Sequence, residues 1–419
     1  MTTQQAPMGW NSWDCYGAAV TEEIVMQNAR YMAEHLKPFG WEYVVVDIQW
    51  SEPGATGHAY RPFARLEMDD YSRLMPAVNR FPSSAGGEGF APLAEKIHRL
   101  GLKFGIHMMR GIPRQAVHQN TKILGSRRTA AEIAQISSIC AWNTDMYGVD
   151  PHKDGALEYY QSLFSLYASW NVDFVKLDDI CRELPQAEEE LLLISRARKT
   201  CAPDIILSLS PGPALLEKAE LYKQTAEMWR ITDDFWDDWK LLYDMFDRAE
   251  SWCIHAGNGH WPDADMLPIG PVRQTDDPSE YTRFTEDEQI TMMTLWCILR
   301  SPLMIGGEMT GFDPFTLDLV TNWDILDMHR LARHSRQVYR RRVQNTELVL
   351  WTACCAEDGT YAALFNIGEE DISLFLPLSD LELGGSPICR DLWHNTVLDC
   401  SGNIPITLPK HGAAAFLLR

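Results

Sequence analysis

The chain has 419 residues, 46% of them hydrophobic, so it can bury a large core and exceeds the usual size of one compact domain. Its net charge of −21 disfavours nucleic acid and anionic membrane surfaces as partners. The N-terminus lacks the pattern of a secretory signal, and no run approaches the roughly 18 apolar residues of a spanning helix. Ten cysteines without a CxxC pair favour reduced thiols. We therefore expect a soluble, cytoplasmic protein that binds no membrane, and a homo-oligomer is possible.

Eight short apolar runs recur along residues 1–335, and nearly all end in polar residues. Segments with helical periodicity separate them, and a strand, a helix and a strand within about 35 residues form a βαβ unit. Eight such units in series predict an α/β fold, the closed (β/α)8 or TIM barrel, for residues 1–335. The runs are "GWNSW" (9–13), "YVVVD" (43–47), "KFGIH" (103–107), "FVKLD" (174–178), "IILSLS" (205–210), "MWRIT" (228–232), "HWPDADM" (260–266) and "LMIGG" (303–307).

The pattern changes after about residue 335 to short alternating runs such as "LVLWTACC" and "TYAALFNI", separated by Gly, Asp, Asn and Pro. This pattern predicts a C-terminal antiparallel β-sandwich over residues 336–419. Two long segments, 51–100 and 108–155, exceed ordinary βα loops, and we expect them to form walls around the mouth of the barrel.

The fourth run, "DFVKLDDI", places charge at the end of a buried strand. Side chains alternate along a strand, so Lys176 and Asp178 point into the barrel while Val175 and Leu177 meet the helices. An ion pair that only closes the barrel is one interpretation. The C-terminal ends of barrel strands converge on one mouth, however, so a second charged strand end would indicate a shared site.

The sixth run, "MWRITDDFWDDW", supplies that second strand end, with Arg230 and Asp234 among several carboxylates. Like charges and aromatic neighbours disfavour ionisation, so one carboxyl of this cluster is expected to keep its proton near neutral pH, whereas Lys176 favours the ionised form of Asp178. Two carboxyl groups with opposed pKa tendencies are the apparatus of a retaining glycosidase. The alternative for Asp234 is a helix-capping or solvated aspartate.

Several motifs in the right order resemble glycoside hydrolase family 27, the α-galactosidase (melibiase) family, over essentially the whole chain. They are "MGWNSWDCYG", "KLD", "WRITDD", "WPDADML" and "RSPLMIGG". The resemblance implies that Asp178 is the nucleophile and that Asp234, rather than Asp233, is the acid/base. It also implies that Trp13 stacks on the sugar, and that the sugar hydroxyls are bound by Asp47, Lys176, Arg230 and Asp265.

One departure from the family concerns substrate choice. Its α-galactosidases usually have two adjacent aspartates after the second strand, where this chain has Asp47 and Ile48. The resemblance implies that Ile48 removes an acceptor near the O4 and hydroxymethyl groups of galactose, and a lost charge-assisted hydrogen bond costs about 1.5 to 3 kcal/mol. L-Arabinopyranose is galactose without the hydroxymethyl group, so β-L-arabinopyranosides are the expected substrates. Alternatively, a reshaped loop supplies the missing contact to an α-D-galactoside.

Two further positions differ from the α-galactosidase pattern. Ser210 stands where a glutamate lies near the 2-hydroxyl, and family members that accept a 2-acetamido group resemble this chain in having serine there. His107 stands where the family often has tyrosine, and we expect it to line the pocket as a hydroxyl-binding or structural residue. The sequence therefore also allows an α-D-galactosidase or an α-N-acetylgalactosaminidase.

Two other classes of protein share part of this pattern. A metal-dependent barrel isomerase also collects carboxylates at strand ends, but Lys176 and Arg230 would repel a metal ion. A non-catalytic sugar-binding barrel would keep Trp13 but would not need both Asp178 and Asp234. We expect a small oligosaccharide or glycoside as substrate, with no cofactor and no metal.

Overall fold

The computed structural model describes residues 5–419, apart from the side chain of Leu184. Residues 1–4, part of the N-terminal stretch considered above, lie outside the described residues. Eight parallel strands form the first sheet, in the spatial order β7-β6-β5-β4-β3-β2-β1-β8. They are β1 (Met8–Asn11), β2 (Tyr43–Val46), β3 (Lys103–Met109), β4 (Phe174–Asp178), β5 (Ile206–Leu209), β6 (Met228–Arg230), β7 (Trp261–Asp263) and β8 (Leu303–Ile305).

The sheet closes on itself, because Leu267, shortly after β7, forms a parallel bridge with Ile305 of β8. Each of the eight predicted runs overlaps one of these strands, so the predicted barrel is confirmed. The helices of this part are α1 (Trp13–Tyr16), α2 (Glu22–Tyr31), α3 (Ala91–Arg99), α4 (Arg114–Gln119), α5 (Ala130–Ile133), α6 (Ala156–Ser169), α7 (Leu184–Cys201), α8 (Ala219–Thr225), α9 (Trp239–Trp252), α10 (Glu286–Leu299), α11 (Pro314–Thr321) and α12 (Trp323–Leu331).

Inward-facing side chains divide the barrel interior into an apolar lower part and a polar upper part. Tyr43, Phe174 and Met228, near the starts of their strands, belong to one buried apolar cluster inside the barrel. Two residues further along β4 and β6, the same faces carry Lys176 and Arg230. One face of β4 and of β6 is therefore apolar inside the barrel and charged at the C-terminal end, where the site of a barrel enzyme lies.

The long segment after β3 forms a sheet of its own. Its strands Ile112–Pro113, Met146–Val149 and Ala134–Ile139 pair antiparallel in that order. This sheet was not predicted from the sequence, because its longest strand, "AQISSI", is mostly exposed and lacks a buried alternate face.

The C-terminal part forms two antiparallel sheets, which confirms the predicted β-sandwich. One sheet has the order β9-β10-β11-β16-β13-β14, and the other pairs β12 with β15. The first strand begins at Ala332, and the domain boundary predicted at 335/336 stays a prediction. The strands are β9 (Ala332–Val343), β10 (Thr346–Cys355), β11 (Thr360–Asn366), β12 (Ile372–Pro377), β13 (Cys389–Asp391), β14 (Thr396–Leu398), β15 (Asn403–Leu408) and β16 (Ala413–Leu418).

The sandwich packs against the barrel close to the segment that carries Asp234. The ring of His411 stacks on Trp239, the first residue of α9, with 3.5 Å between centroids and 12° between planes. The hydroxyl of Thr291 on α10 donates a hydrogen bond of 2.6 Å to the carbonyl oxygen of His411. Across residues 5–419, every helix is too short or too polar to cross a bilayer.

His329 on α12 makes the stability of the fold depend on pH. Its Nε2 lies 2.7 Å from the Ser301 carbonyl oxygen, and burial, with Arg300 and Arg330 nearby, lowers the pKa of His329 to about 4. The unfolded chain binds a proton here below about pH 6.5, whereas the folded chain does so only near pH 4. The free energy of unfolding should therefore fall as the pH falls from about 6.5 to 4, by on the order of 3 kcal/mol from this group.

We predict that His329→Gln reduces the loss of stability on acidification. Thermal denaturation of the variant and the wild type at pH 7 and pH 4.5 measures the difference. His152→Gln is the control, because the His152 side chain is 74% exposed. An equal loss of melting temperature in the wild type and His329→Gln would contradict the assignment.

Candidate active site

A cavity of about 600 Å³ opens at the C-terminal ends of the barrel strands. The long segment 51–100 contributes His58 and Tyr60 to its wall, and the segment 108–155 contributes Trp142. Eight of the ten residues selected from the sequence line this one cavity. They are Trp13, Asp47, Ile48, Lys176, Asp178, Arg230, Asp234 and Asp265.

Asp178 lies at the end of β4 in a site that favours its charged form. Its Oδ2 is 2.9 Å from Nε2 of His107, and its Oδ1 accepts a 2.9 Å hydrogen bond from the backbone N–H of Asp179. Burial raises the pKa of Asp178, but the hydrogen bond and charge of His107 and the charge of Lys176 outweigh burial, so the pKa lies well below its usual range. The side chain is therefore a carboxylate with restricted freedom, as attack on a carbon atom requires.

Asp47 and Lys176 form a buried ion pair on the same wall. Lys176 Nζ lies 2.8 Å from Asp47 Oδ2, which also accepts a 2.7 Å hydrogen bond from the Asn11 side chain. Burial raises the pKa of Asp47, but Lys176 and His107 lower it below the ordinary value. Both charges persist and remain available to hydroxyl groups through charge-assisted hydrogen bonds.

Arg230 connects two carboxyl groups on the other side of the cavity. Its guanidinium lies 2.8 Å from Asp265 and 2.9 Å from Asp234. Burial raises the pKa of Asp265 to about 7, and the neighbouring charges of Asp234 and Asp263 act in the same direction against Arg230. Asp265, which the sequence placed among the hydroxyl ligands, is thus a carboxyl group of this site whose pKa lies near neutrality.

Asp178 and Asp234 differ in their contact with water. The side chain of Asp178 is 11% exposed, and that of Asp234 is 56% exposed. The backbone N–H of Asp234 donates a 2.9 Å hydrogen bond to Asp233, which in turn forms an ion pair of 2.6 Å with Arg182. Asp234 is thus held at the rim of the cavity, where protons can be exchanged with solvent.

An apolar patch covers part of the wall between these charged groups. Ile48 is buried and clusters with Met109, Cys140 and Met146, with Trp13 packed against them. The ring of Trp13 stacks on Tyr60 at 5.8 Å with 19° between planes. A flat aromatic surface of this kind suits the C–H face of a sugar ring.

His107 and Ser210 lie behind the cavity wall rather than on it. His107 is buried, and its contact with the site is the hydrogen bond to Asp178. Ser210 is buried beside a separate cavity of about 20 Å³, whose lining also includes Arg230 and Asp265. Among the described residues, Ser210 Oγ has no hydrogen-bond partner.

Among the further residues of the cavity wall that sequence reasoning missed are Asp14, His58, Tyr60 and Trp142. Asp14 is buried, and its Oδ2 has no hydrogen-bond partner among the described residues. Burial and then the charge of Asp265 raise the pKa of Asp14 well above its ordinary value. Its position next to Trp13 at the end of β1 was an available signal, whereas the other three lie in long segments without periodicity.

Within residues 5–419, His, Cys, Asp and Glu side chains form no group of three or more that could hold a metal ion. The charged groups of the cavity instead pair with Lys176 and Arg230. This arrangement can bind hydroxyl groups and place two carboxyl groups, one buried and one exposed, around a bound sugar.

Comparison with known proteins places this site in a family. Residues 147–330 match the model described as alpha galactosidase A, and residues 345–418 match the alpha galactosidase C-terminal beta sandwich domain. A family 27 β-L-arabinopyranosidase from Geobacillus stearothermophilus is 56% identical, with a TM-score of 0.95 and coverage of 99% of this chain and 96% of that one. The chain belongs to glycoside hydrolase family 27. The resemblance inferred from the motifs is thereby confirmed.

Other relatives of this family 27 glycoside hydrolase carry different substrate names. A candidate α-N-acetylgalactosaminidase from Bacillus halodurans is 51% identical, with a TM-score of 0.87 and coverage of 99% of this chain and 97% of that one. An α-galactosidase of Oryza sativa is 24% identical over 98% of this chain and 84% of its own length. A variant of the Geobacillus enzyme has been solved in complex with arabinose. The family thus identifies a glycoside hydrolase without identifying its sugar.

Proposed function

We propose that this enzyme is a retaining exo-glycosidase that removes terminal β-L-arabinopyranosyl groups in preference to α-D-galactosyl groups. Asp178 attacks the anomeric carbon while Asp234 protonates the leaving oxygen, which gives a covalent glycosyl-enzyme. Asp234 then removes a proton from water, which attacks the same carbon and releases the sugar with its configuration retained. The low pKa of Asp178 and the solvent contact of Asp234 support this division of roles.

The proposed sugar preference rests on the apolar side chain of Ile48 in the cavity wall. Ile48 follows Asp47 directly, so an apolar side chain occupies the wall beside the hydroxyl-binding pair of Asp47 and Lys176. A hydroxymethyl group facing this patch would find no hydrogen-bond acceptor in the side chain and would be crowded by it. A pyranose without that group avoids both costs. The similarity to a β-L-arabinopyranosidase agrees with this inference.

We predict that the wild type hydrolyses nitrophenyl β-L-arabinopyranoside at least tenfold better in kcat/KM than the α-D-galactoside. Ile48→Asp should restore an acceptor and shift the ratio towards the galactoside by about tenfold or more, since about 1.4 kcal/mol corresponds to one decade. Ile48→Ala is the matched control, because it removes bulk without adding an acceptor. Steady-state kinetics with both substrates measure the ratio. A wild type that favours the galactoside would contradict the proposal.

Hydrolysis of α-D-N-acetylgalactosaminides is the second candidate, favoured by Ser210 and by the Bacillus halodurans relative. This candidate has less support because Ser210 does not line the cavity that contains Asp178 and Asp234. Adding the N-acetylgalactosaminide to the same substrate panel distinguishes the two. Self-association and a cytoplasmic location remain predictions from the sequence.

A further inference from the structure

Arg110 follows β3 directly and is a buried cation that the proposed mechanism does not use. Its side chain is 4% exposed, and it lies between two carboxylates, Asp179 at 2.8 Å and Glu190 at 2.9 Å. Burial lowers the pKa of Arg110, but the charges of Glu190 and Asp179 raise it above the ordinary value. A buried ion-paired network of this kind is costly to desolvate, so a functional reason for it is worth seeking.

The contacts of Arg110 reach the backbone of the predicted nucleophile, Asp178, and the residue that follows it. The backbone N–H of Arg110 donates a 3.0 Å hydrogen bond to the carbonyl oxygen of Asp178. Its Nε donates to the carbonyl oxygen of Asp179, and its Nη2 donates to the Asp179 carboxylate, both at 2.8 Å. Three donors of Arg110 therefore hold the two peptide groups that flank Asp179, and also the Asp179 side chain.

Asp179 needs this support because of its backbone conformation. Its φ is +59°, in the left-handed region that residues other than glycine rarely adopt. The N–H of Asp179 lies in the same peptide plane as the Asp178 carbonyl group and donates the 2.9 Å hydrogen bond to Asp178 Oδ1. The two side-chain hydrogen bonds from Arg110 hold Asp179, and the backbone N–H of Arg110 holds the Asp178 carbonyl oxygen of that plane. Release of Asp179 would free one end of the peptide plane whose N–H contacts the carboxylate.

The other end of Arg110 is anchored in the long segment after β3. Its Nη1 donates to Ser138 in the small antiparallel sheet and to Glu190 on α7, both at 2.9 Å. Glu190 also accepts a 2.9 Å hydrogen bond from the backbone N–H of Val149 and one from the hydroxyl of Tyr160. The guanidinium is thus bonded directly to the small sheet and to α7, and through Glu190 it is linked to Tyr160 on α6.

We propose that Arg110 is a positioning residue for the nucleophile: through Asp179 it aims a backbone N–H at the Asp178 carboxylate and holds that carboxylate in its attacking orientation. The inference rests on the proposed role of Asp178. The small sheet and α7 would then serve to fix the Arg110 guanidinium against Asp179 at the end of β4. Loss of the hydrogen bonds from Arg110 to Asp179 should slow attack on the sugar without weakening the binding of the sugar.

The test uses Arg110→Lys, which keeps the charge but loses the planar set of donors. We expect kcat to fall by about tenfold to a hundredfold with little change in KM, because orientation contributes to the transition state and not to substrate binding. Loss of the Asp179 N–H contact should also raise the pKa of Asp178 and move the acidic limb of the kcat/KM profile to higher pH. Asp179→Asn, which keeps an acceptor for Arg110, should retain more activity than Asp179→Gly.

Arg198→Lys is the matched control. Arg198 is equally buried and donates to the Ile205 carbonyl oxygen at 2.6 Å and to Glu227 at 3.1 Å, at the N-terminal ends of β5 and β6. Its replacement should lower the melting temperature without changing kcat or the pH profile. If Arg110→Lys lowers only the melting temperature, as expected for Arg198→Lys, the hydrogen bonds of Arg110 stabilise the fold alone and the inference is wrong. Hydrolysis that survives Asp178→Ala would instead overturn the proposed function, so the two failures are distinguishable.

Discussion

Asp178→Ala should lower kcat for nitrophenyl β-L-arabinopyranoside by about 10⁴-fold or more, since the variant cannot form the glycosyl-enzyme. This loss corresponds to more than about 5 kcal/mol of transition-state stabilisation. Because the buried His107 loses its hydrogen-bond partner, the melting temperature should also fall, and the kinetics are therefore measured at a temperature where the variant is folded. Steady-state kinetics and thermal denaturation measure the two quantities.

Azide gives this prediction a second measurement. A small anion can occupy the space of the removed carboxylate and attack the anomeric carbon from the same side, which restores turnover. The product should be a glycosyl azide with inverted configuration, detectable by NMR, whereas the wild type releases sugar of retained configuration. Asp233→Asn is the control, because Asp233 lies next to Asp234 at the rim and its replacement keeps a hydrogen-bond acceptor for the Asp234 N–H. Full activity of Asp178→Ala would contradict the assigned role.

Asp234→Ala should produce a loss that depends on the leaving group. For a glycoside with a poor leaving group, such as an alkyl glycoside, kcat/KM should fall by about 10² to 10⁴-fold, because general acid catalysis is lost. A dinitrophenyl glycoside needs no protonation to depart, so its kcat/KM should fall much less. Kinetics over a series of leaving groups measure this dependence.

The same Asp233→Asn variant is the control for Asp234→Ala, since the two aspartates are adjacent and only one contacts Arg230 in the ion pair of 2.9 Å. The control should show the leaving-group dependence of the wild type. An equal loss on all substrates after Asp234→Ala would indicate a binding role for Asp234 and would remove it as the acid.

The barrel was predictable because each strand is buried on both faces and ends abruptly in polar residues. Val44, Val46, Val175 and Leu177 face the helices, and their apolar runs stand out against the intervening helical periodicity. Strand β9 was missed because its residues, "ARHSRQVYRRRV", are largely charged and only partly buried. Antiparallel pairing with β10 holds this segment as a strand, although its composition does not predict one.

The candidate site was predictable where it is built on strands. Lys176, Asp178 and Arg230 follow from the alternation of side chains, and their meeting at one mouth follows from the barrel. Tyr60 and Trp142 come from long segments that carry no periodic signal, so the tertiary fold alone brings them to the wall. The role proposed for Arg110 was equally hidden, because it depends on contacts with Asp179, with the small sheet and with α7, which are far apart in the sequence.

The unequal exposure of Asp178 and Asp234 has a consequence for the order of events in each catalytic cycle. In the proposed mechanism the nucleophile, Asp178, is the less exposed of the two carboxyl groups, and the acid/base, Asp234, lies at the rim in contact with solvent. The departing aglycone and the incoming water would then occupy the same space beside Asp234, so the aglycone must leave before water can bind there. A small alcohol in this space would compete with water for the glycosyl-enzyme, so hydrolysis and transglycosylation would be alternative reactions of the same intermediate.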